Sequence, residues 1–263
     1  IDNRKKFGLI FVFMRQLSAV IITYNEEQNI ERCLKSLLGI ADEIVVVDSY
    51  STDKTKEICL NYHVNFFEHT WEGYSEQKNY GNSMAKFDWI LSLDADEALS
   101  PELQQSLTAI KIEGNEFFYR ICRLTNYCGT WIKHGGWYPD IKLRLFDRTQ
   151  SCWEGKIHEK LNNVLERKKP LLQGDCYHYS YYTIEGHKAQ ALKFSQMAAI
   201  DLFEKGKNAG WIKILLSTIH KFIKGYFFKL GFLDGLAGLN IAIISANAVY
   251  LKYRKLMLLN AGK

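Results

Sequence analysis

Asp94, Asp96 and Glu97 follow directly on the apolar run Trp89-Ile90-Leu91-Ser92-Leu93. Carboxylates crowded at the end of a buried run repel one another, and at least one resists ionising unless positive charge lies among them. The nearest Lys or Arg along the chain is Lys86, on the far side of that run. Three chemistries suit Asp94 and Asp96: ligation of a divalent metal, a carboxylate pair for acid/base work, or solvated loop acids. A hard cation with oxygen ligands, Mn²⁺ or Mg²⁺, fits best. Such an ion is held by one or two carboxylates while substrate phosphates complete its shell. The expected ligand is therefore a nucleotide diphosphate.

The elements around this cluster are legible from their patterns. Leu17–Thr23 is a continuous apolar, β-branched run, the mark of a strand buried on both faces. The segments 42–48, 64–68 and 88–93 repeat that character, and helical stretches of suitable length separate them. One helix is expected to open at Asn25, with Asn25 as N-cap and Glu26-Glu27 in its first turn. Ser100-Pro101-Glu102 starts another. This alternation implies βαβ units and a parallel sheet, in which ligands bind outside the carboxyl ends of the strands. The first, second and fourth strands all end in polar residues: Thr23 to Glu26, Asp48 to Asp53, and Asp94 to Glu97.

Missing motifs narrow the ligand. The chain has neither a GxxxxGK[ST] loop nor a GxGxxG turn, so no P-loop or dinucleotide-binding unit is supported. Glu26-Glu27 would repel phosphate from a helix start and suit ribose hydroxyls or a base edge better. The diphosphate is left to the metal.

The segments "AVIITYNEEQNIERCLKSLL", "EIVVVDSYSTDKT", "EQKNYG" and "WILSLDADEAL" together resemble a family 2 glycosyltransferase, closest to the bacterial lipopolysaccharide core β-1,4-glucosyltransferase group. The later "WYPDIKLRLFDR", "WEGKIHEKL" and "GFLDGLAGL" share that likeness. The resemblance implies the α/β GT-A fold, a mostly parallel sheet flanked by helices, with a C-terminal helical membrane-associating extension. It implies a nucleoside pocket lined by Thr23, Tyr24, Asn25 and Glu26, with Asp53 near the base or ribose. It also sets Lys78 near the nucleotide, which is usually UDP in this family. Asp94 would contact the ribose or a metal-bound water, and Asp96 would ligate the metal. Bland roles stay open beside these: Asp48 ending a strand, Asn25 capping a helix, Lys78 as a helix-face charge.

The family inverts configuration in one displacement, which requires a carboxylate to take the acceptor's proton. The candidates are Glu159, in an aromatic-flanked stretch where partial burial would tune it for proton acceptance, and Asp140. His158 and His178 are candidates for a third metal ligand or a diphosphate contact. Arg144 and Arg148 could grip phosphate by their forked donors or be solvated strand charges. Trp137 and Tyr138 could stack on a sugar or pack.

With 263 residues, 47% of them hydrophobic, the chain can build a substantial core. The expected organisation is a leader over 1–14, a catalytic domain over 15–204 (nucleotide-sugar half 15–99, acceptor half 100–204) and an extension over 205–263. Six cysteines form no CxxC pair and are expected to be reduced thiols. The charge is divided: residues 1–204 carry net −4 and residues 205–263 carry +9. The basic end holds an apolar helical stripe from Trp211, suited to the interface of an anionic membrane. Leu236–Leu251 lacks charges but falls short of the roughly twenty residues needed to span a bilayer. Pairing of these helices in a homo-oligomer is the competing reading.

The resulting expectation is an enzyme at the cytoplasmic face of the inner membrane, moving a hexose from a nucleotide sugar to a lipid-linked glycan. Nucleic acid is not expected as a partner. A transferase acting on polyprenyl phosphate, a sugar nucleotidyltransferase and a non-enzymatic basic adaptor are the alternatives.

Overall fold

The computed structural model describes residues 14–114, 116–155, 159–164 and 166–262. The expected leader, Met14 apart, and His158 lie outside the described residues. The chain divides into two compact units, 1–121 with 142–176 and 122–141 with 177–263. Ala199, in the helix that ends at Glu204, is buried in one apolar cluster with Leu256.

The first unit is built on β1 (Leu17–Thr23), β2 (Glu43–Asp48), β3 (Asn65–Glu68) and β4 (Trp89–Asp94), in the spatial order β3-β2-β1-β4. All three pairings within this block are parallel. Every residue of β1 is buried, as its unbroken apolar run requires for a central strand. The register sets Thr23 beside Asp48 and Ile22 beside Asp94, so the polar strand ends lie side by side. Past β4 the sheet continues with β8 (Asp140–Asp147), β6 (Phe118–Tyr127), β11 (Leu171–Tyr181) and β5 (Glu97–Leu99); β8 runs antiparallel to β4.

Helix α1 (Ile30–Leu37) buries Ile30, Cys33, Leu34 and Leu37, one face at helical spacing. It starts later than the sequence suggests. Asn25 adopts φ 54, outside the helical region, and Asn29 is the N-cap. Helix α4 (Pro101–Glu113) starts as expected, with Ser100 Oγ accepting from Leu103 N at 3.2 Å. No disulfide joins any of the six cysteines.

Helix α3 (Tyr74–Met84) lies close against β1 and β2, and Gly81 is what permits this. A Cβ there would meet Val20 Cγ1 at 2.5 Å and Val47 Cγ2 at 3.0 Å. Gly81→Ala will therefore push α3 off the sheet and cost about 1–3 kcal/mol, read as a lowered urea midpoint. Because α3 carries Lys78, the same variant should also disturb the ion pairs of Lys78 with Asp94 and Glu159.

In the second unit, α5 (Ile184–Glu204), α6 (Trp211–Ile223) and α7 (Gly235–Ala261) pack together, α7 against both of the others. Helix α7 corrects the sequence estimate of length. Lys252, Arg254 and Lys255 end the charge-free run, but the helix continues through them to 27 residues. With the preceding 3-10 turn, Gly231–Ala261 is long and apolar enough to cross a membrane by length and composition, with about a third of an apolar 18-residue stretch of it buried in the protein. On α6 only Ile214 is buried; Ile212 is 78% exposed, and Trp211, Leu215 and Leu216 are also open.

Candidate active site

The loops that leave β1 and β2 are laced together by polar side chains. Asn25 N donates to Ser51 Oγ at 2.8 Å, and Thr52 N donates to Asn25 Oδ1 at 2.8 Å. Glu26 N donates to Thr55 Oγ1 at 2.8 Å. Asp48, fully buried, accepts from Ser51 N at 2.7 Å and from Ser51 Oγ at 2.5 Å. Asn25 is thus a loop brace and not a helix cap. Asp53 has a comparable duty. Its oxygens accept from Thr55 N at 2.9 Å, Thr55 Oγ1 at 2.6 Å and Glu27 N at 3.0 Å. Burial pushes its carboxyl up, but these hydrogen bonds prevail and leave its pKa lowered.

Beside these loops stands the cluster at the end of β4, and its neutralising charges come from far along the chain. Lys78, 1% exposed, places Nζ 3.2 Å from Asp94 Oδ1 and 2.8 Å from Glu159 Oε1. The same ammonium sits 4.9 Å from the centre of the Trp153 ring. Arg144 Nη2 donates to Asp94 Oδ2 at 2.6 Å and to Glu97 Oε1 at 3.1 Å. Burial by itself lowers the Arg144 pKa, yet Asp94 and Glu97 outweigh it and the pKa is raised. Arg144 is therefore a counter-charge to Asp94 and Glu97, and the Nη2 group considered for a phosphate grip is occupied by these carboxylates. Arg148 is likewise committed, donating to Asp88 Oδ1, Ala85 O and Asn82 O.

Glu26 and Asp53 are engaged elsewhere, Glu26 Oε2 accepting from Asn29 Nδ2 at 2.7 Å and Asp53 from Thr55 and Glu27. Burial raises the pKa of Glu26 above the carboxylate norm. A hydrogen bond from Asn29 opposes this, while Asp96, Asp53 and Asp94 raise it further by repulsion. Thr23 Oγ1 is buried without a hydrogen-bond partner, and Tyr24 is exposed at the mouth. This donor set is rich in oxygen and bordered by an unsatisfied hydroxyl, so it could hold a hard cation and a polyhydroxylated ligand. Among the described residues no group of three His, Cys, Asp or Glu side chains could hold a metal. His178 is in no such group. His178 belongs to the second unit, where its Nδ1 lies 3.3 Å from Thr125 Oγ1.

The two candidate bases differ in their setting. Glu159 stands in the first unit against the Lys78 ammonium and not in a purely apolar niche. Asp140 stands in the second unit, where Oδ2 accepts from Arg123 Nε at 2.9 Å and Nη2 at 2.6 Å. Trp137 packs edge-on against Tyr127 and tilted against Tyr181, both in its own unit. Sequence reasoning missed Arg144 as a partner of Asp94. What brings them together is tertiary: the antiparallel β4–β8 register pairs Leu91 with Leu145 and so carries the residue before Leu145 toward the acidic strand end.

A sheet whose parallel block gathers oxygen-rich loops at its carboxyl edge is an α/β arrangement in which a ligand binds outside the strand ends. Residues 18–182 match the model of glycosyl transferase family 2. An uncharacterized glycosyltransferase of Rickettsia typhi is 33% identical over 92% of this chain and 87% of its own length. The lipopolysaccharide core biosynthesis glycosyltransferase LpsC of Rhizobium meliloti is 27% identical over 90% of this chain and 93% of its own. Among solved structures, S. aureus TarS residues 1–349 with UDP-GlcNAc aligns with 94% of this chain and 92% of that one, at 14% identity and TM-score 0.46. The chain belongs to glycosyl transferase family 2, and is an enzyme with the GT-A fold.

Proposed function

We propose that this enzyme transfers a hexose, with inversion, from a UDP-sugar to a lipid-linked glycan of the lipopolysaccharide-core type, using Mn²⁺ or Mg²⁺. The observation that supports the donor half is the convergence of the oxygen-rich strand ends at the carboxyl edge of the parallel strands, with Thr23 beside Asp48 and Ile22 beside Asp94. Asp96, with Asp94 beside it, would hold the cation. When bound, the ion would neutralise charge developing on the departing diphosphate. Thr23, Tyr24 and Glu26 would bind the nucleoside, with Thr23 Oγ1 acquiring the partner it lacks. Lys78 holds Glu159 in place, and Glu159 would accept the acceptor hydroxyl's proton.

The acceptor half rests on similarity to LpsC and on the exposed apolar face of α6 beside a strongly basic C-terminal segment. These features suit an enzyme at the cytoplasmic face of the inner membrane, seated on anionic lipid. Helix α7 gives specific support to a second reading, transfer to polyprenyl phosphate, since that helix has the length to enter a bilayer. Transfer assays with the two acceptors side by side separate the readings.

A thermal-shift screen of nucleotide sugars with and without Mn²⁺ tests the donor assignment, and UDP-sugars should give the largest metal-dependent stabilisation. Asp96→Asn should weaken UDP binding at least about tenfold in saturating Mn²⁺ while leaving the melting temperature without ligand nearly unchanged. Unaltered UDP affinity in that variant would remove Asp96 from the metal site.

A further inference from the structure

The second unit contains a cavity of about 340 Å³ whose polar lining is largely basic. Lys221, Lys224 and Lys229 line it with His134 and His220, and Asp234 is the one acid in the lining. Asp234 is already engaged, accepting from Lys133 N at 3.2 Å, His134 N at 2.9 Å and His134 Nδ1 at 2.8 Å. The three ammonium groups therefore outnumber the available negative charge. Burial lowers the pKa of Lys221, and Lys229, Lys224 and Lys252 lower it further.

The backbone is shaped to assemble this cluster. Residues Lys224–Phe228 form a π-helical turn, and Lys229 N donates to Lys224 O at 2.9 Å. An i→i+5 turn is rare and is found mostly at functional sites; here it brings Lys229 back over Lys224. Gly135 N donates to Lys229 O, and Gly136 leaves room for the lysine itself, since a Cβ there would meet Lys229 Nζ at 2.5 Å. The glycines of "GFLDGLAGL" close the arrangement. A Cβ on Gly238 would fall 1.8 Å from Gly231 O, so the turn before α7 and the helix pack backbone to backbone.

We propose that this cavity binds a phosphomonoester or diphosphate headgroup carried by the lipid acceptor. Three ammonium groups set against one engaged carboxylate match a group bearing nearly two negative charges better than a phosphodiester bearing one. The lipid source is favoured over free phosphate because the exposed apolar face of α6 (Trp211, Ile212, Leu215) immediately precedes the lysines in the same helical segment. The inference rests on the lipid-acceptor reading above and adds the chemical group by which the acceptor is held.

The full chain is sedimented with phosphatidylcholine vesicles containing either phosphatidic acid or, at equal surface charge, phosphatidylglycerol. Inorganic pyrophosphate serves as competitor. Phosphatidic acid should bind more tightly, pyrophosphate should displace it, and the Lys221→Gln/Lys224→Gln/Lys229→Gln variant should lose the preference. A control with equal charge loss, Lys205→Gln/Lys207→Gln/Lys213→Gln, should keep it and bind phosphatidic acid vesicles at least about tenfold better than the cavity variant. Retained UDP binding verifies that both variants fold, and Lys229→Gln alone is the fallback if the triple variant does not. Equal losses in the two triple variants, or equal affinity for the two lipids, would reduce the cavity to general surface charge and overturn the proposal. Pyrophosphate binding without any vesicle preference would overturn the lipid source. Vesicle binding does not require sugar transfer, so a protein that passes here yet transfers no hexose condemns the proposed function and not this site.

Discussion

Arg144→Met will destabilise the first unit by about 3–5 kcal/mol, because it strands Glu97 as a buried charge without its guanidinium. Glu97 has a fully buried side chain, and its second oxygen accepts from Asp94 N at 3.0 Å, so it has no route to solvent. Asp94 is affected less, since it is partly exposed and keeps Lys78. Urea unfolding measures the loss. A double variant, Arg144→Met with Glu97→Leu, should recover much of it, because removing both charges of a buried pair is far less costly than removing one. A loss below about 1 kcal/mol in the single variant would mean that the pair behaves like a solvated surface bridge, contrary to its burial.

Glu159→Gln will reduce turnover by about 10²–10⁴ while leaving UDP affinity within a small factor of the parent. The amide retains an oxygen for Lys78 Nζ, so the side chain stays seated and what is lost is the capacity to take a proton. The matched control is Asp140→Asn. If Asp140 is the base, that variant shows the large kcat effect and Glu159→Gln shows little. Should Glu159→Gln instead abolish UDP binding, Glu159 is a positioning partner of Lys78 and not the proton acceptor.

The parallel half of the sheet was readable because its information is local. A strand buried on both faces must be apolar throughout, and Leu17–Thr23 and Glu43–Asp48 have little other use for such composition. The convergence of strand ends followed from topology, and the register of Thr23 with Asp48 and Ile22 with Asp94 agrees with it. The counter-charges were not readable. Lys78 and Arg144 reach Asp94 across long separations, and nothing near either residue announces the partner. The start of α1 was misplaced because Asn25, Asn29 and their neighbours all favour helix beginnings. Only the bond from Thr52 N to Asn25 Oδ1, a tertiary contact, decides between them. The length of α7 was underestimated because a charge-free run was taken as a proxy for a helix, and helices tolerate lysine where water or a neighbour can receive it.

Lys78 bridges Asp94 and Glu159 with its own ammonium, so this protein carries an internal substitute for part of the charge a metal would bring. On the proposed reading, in which Asp96 would hold Mn²⁺ or Mg²⁺, such a built-in counter-charge would let the chain fold without the ion, unlike domains in which the ion is the keystone of the native state. Purification in a chelator should then yield a folded protein whose activity returns when the ion is added back.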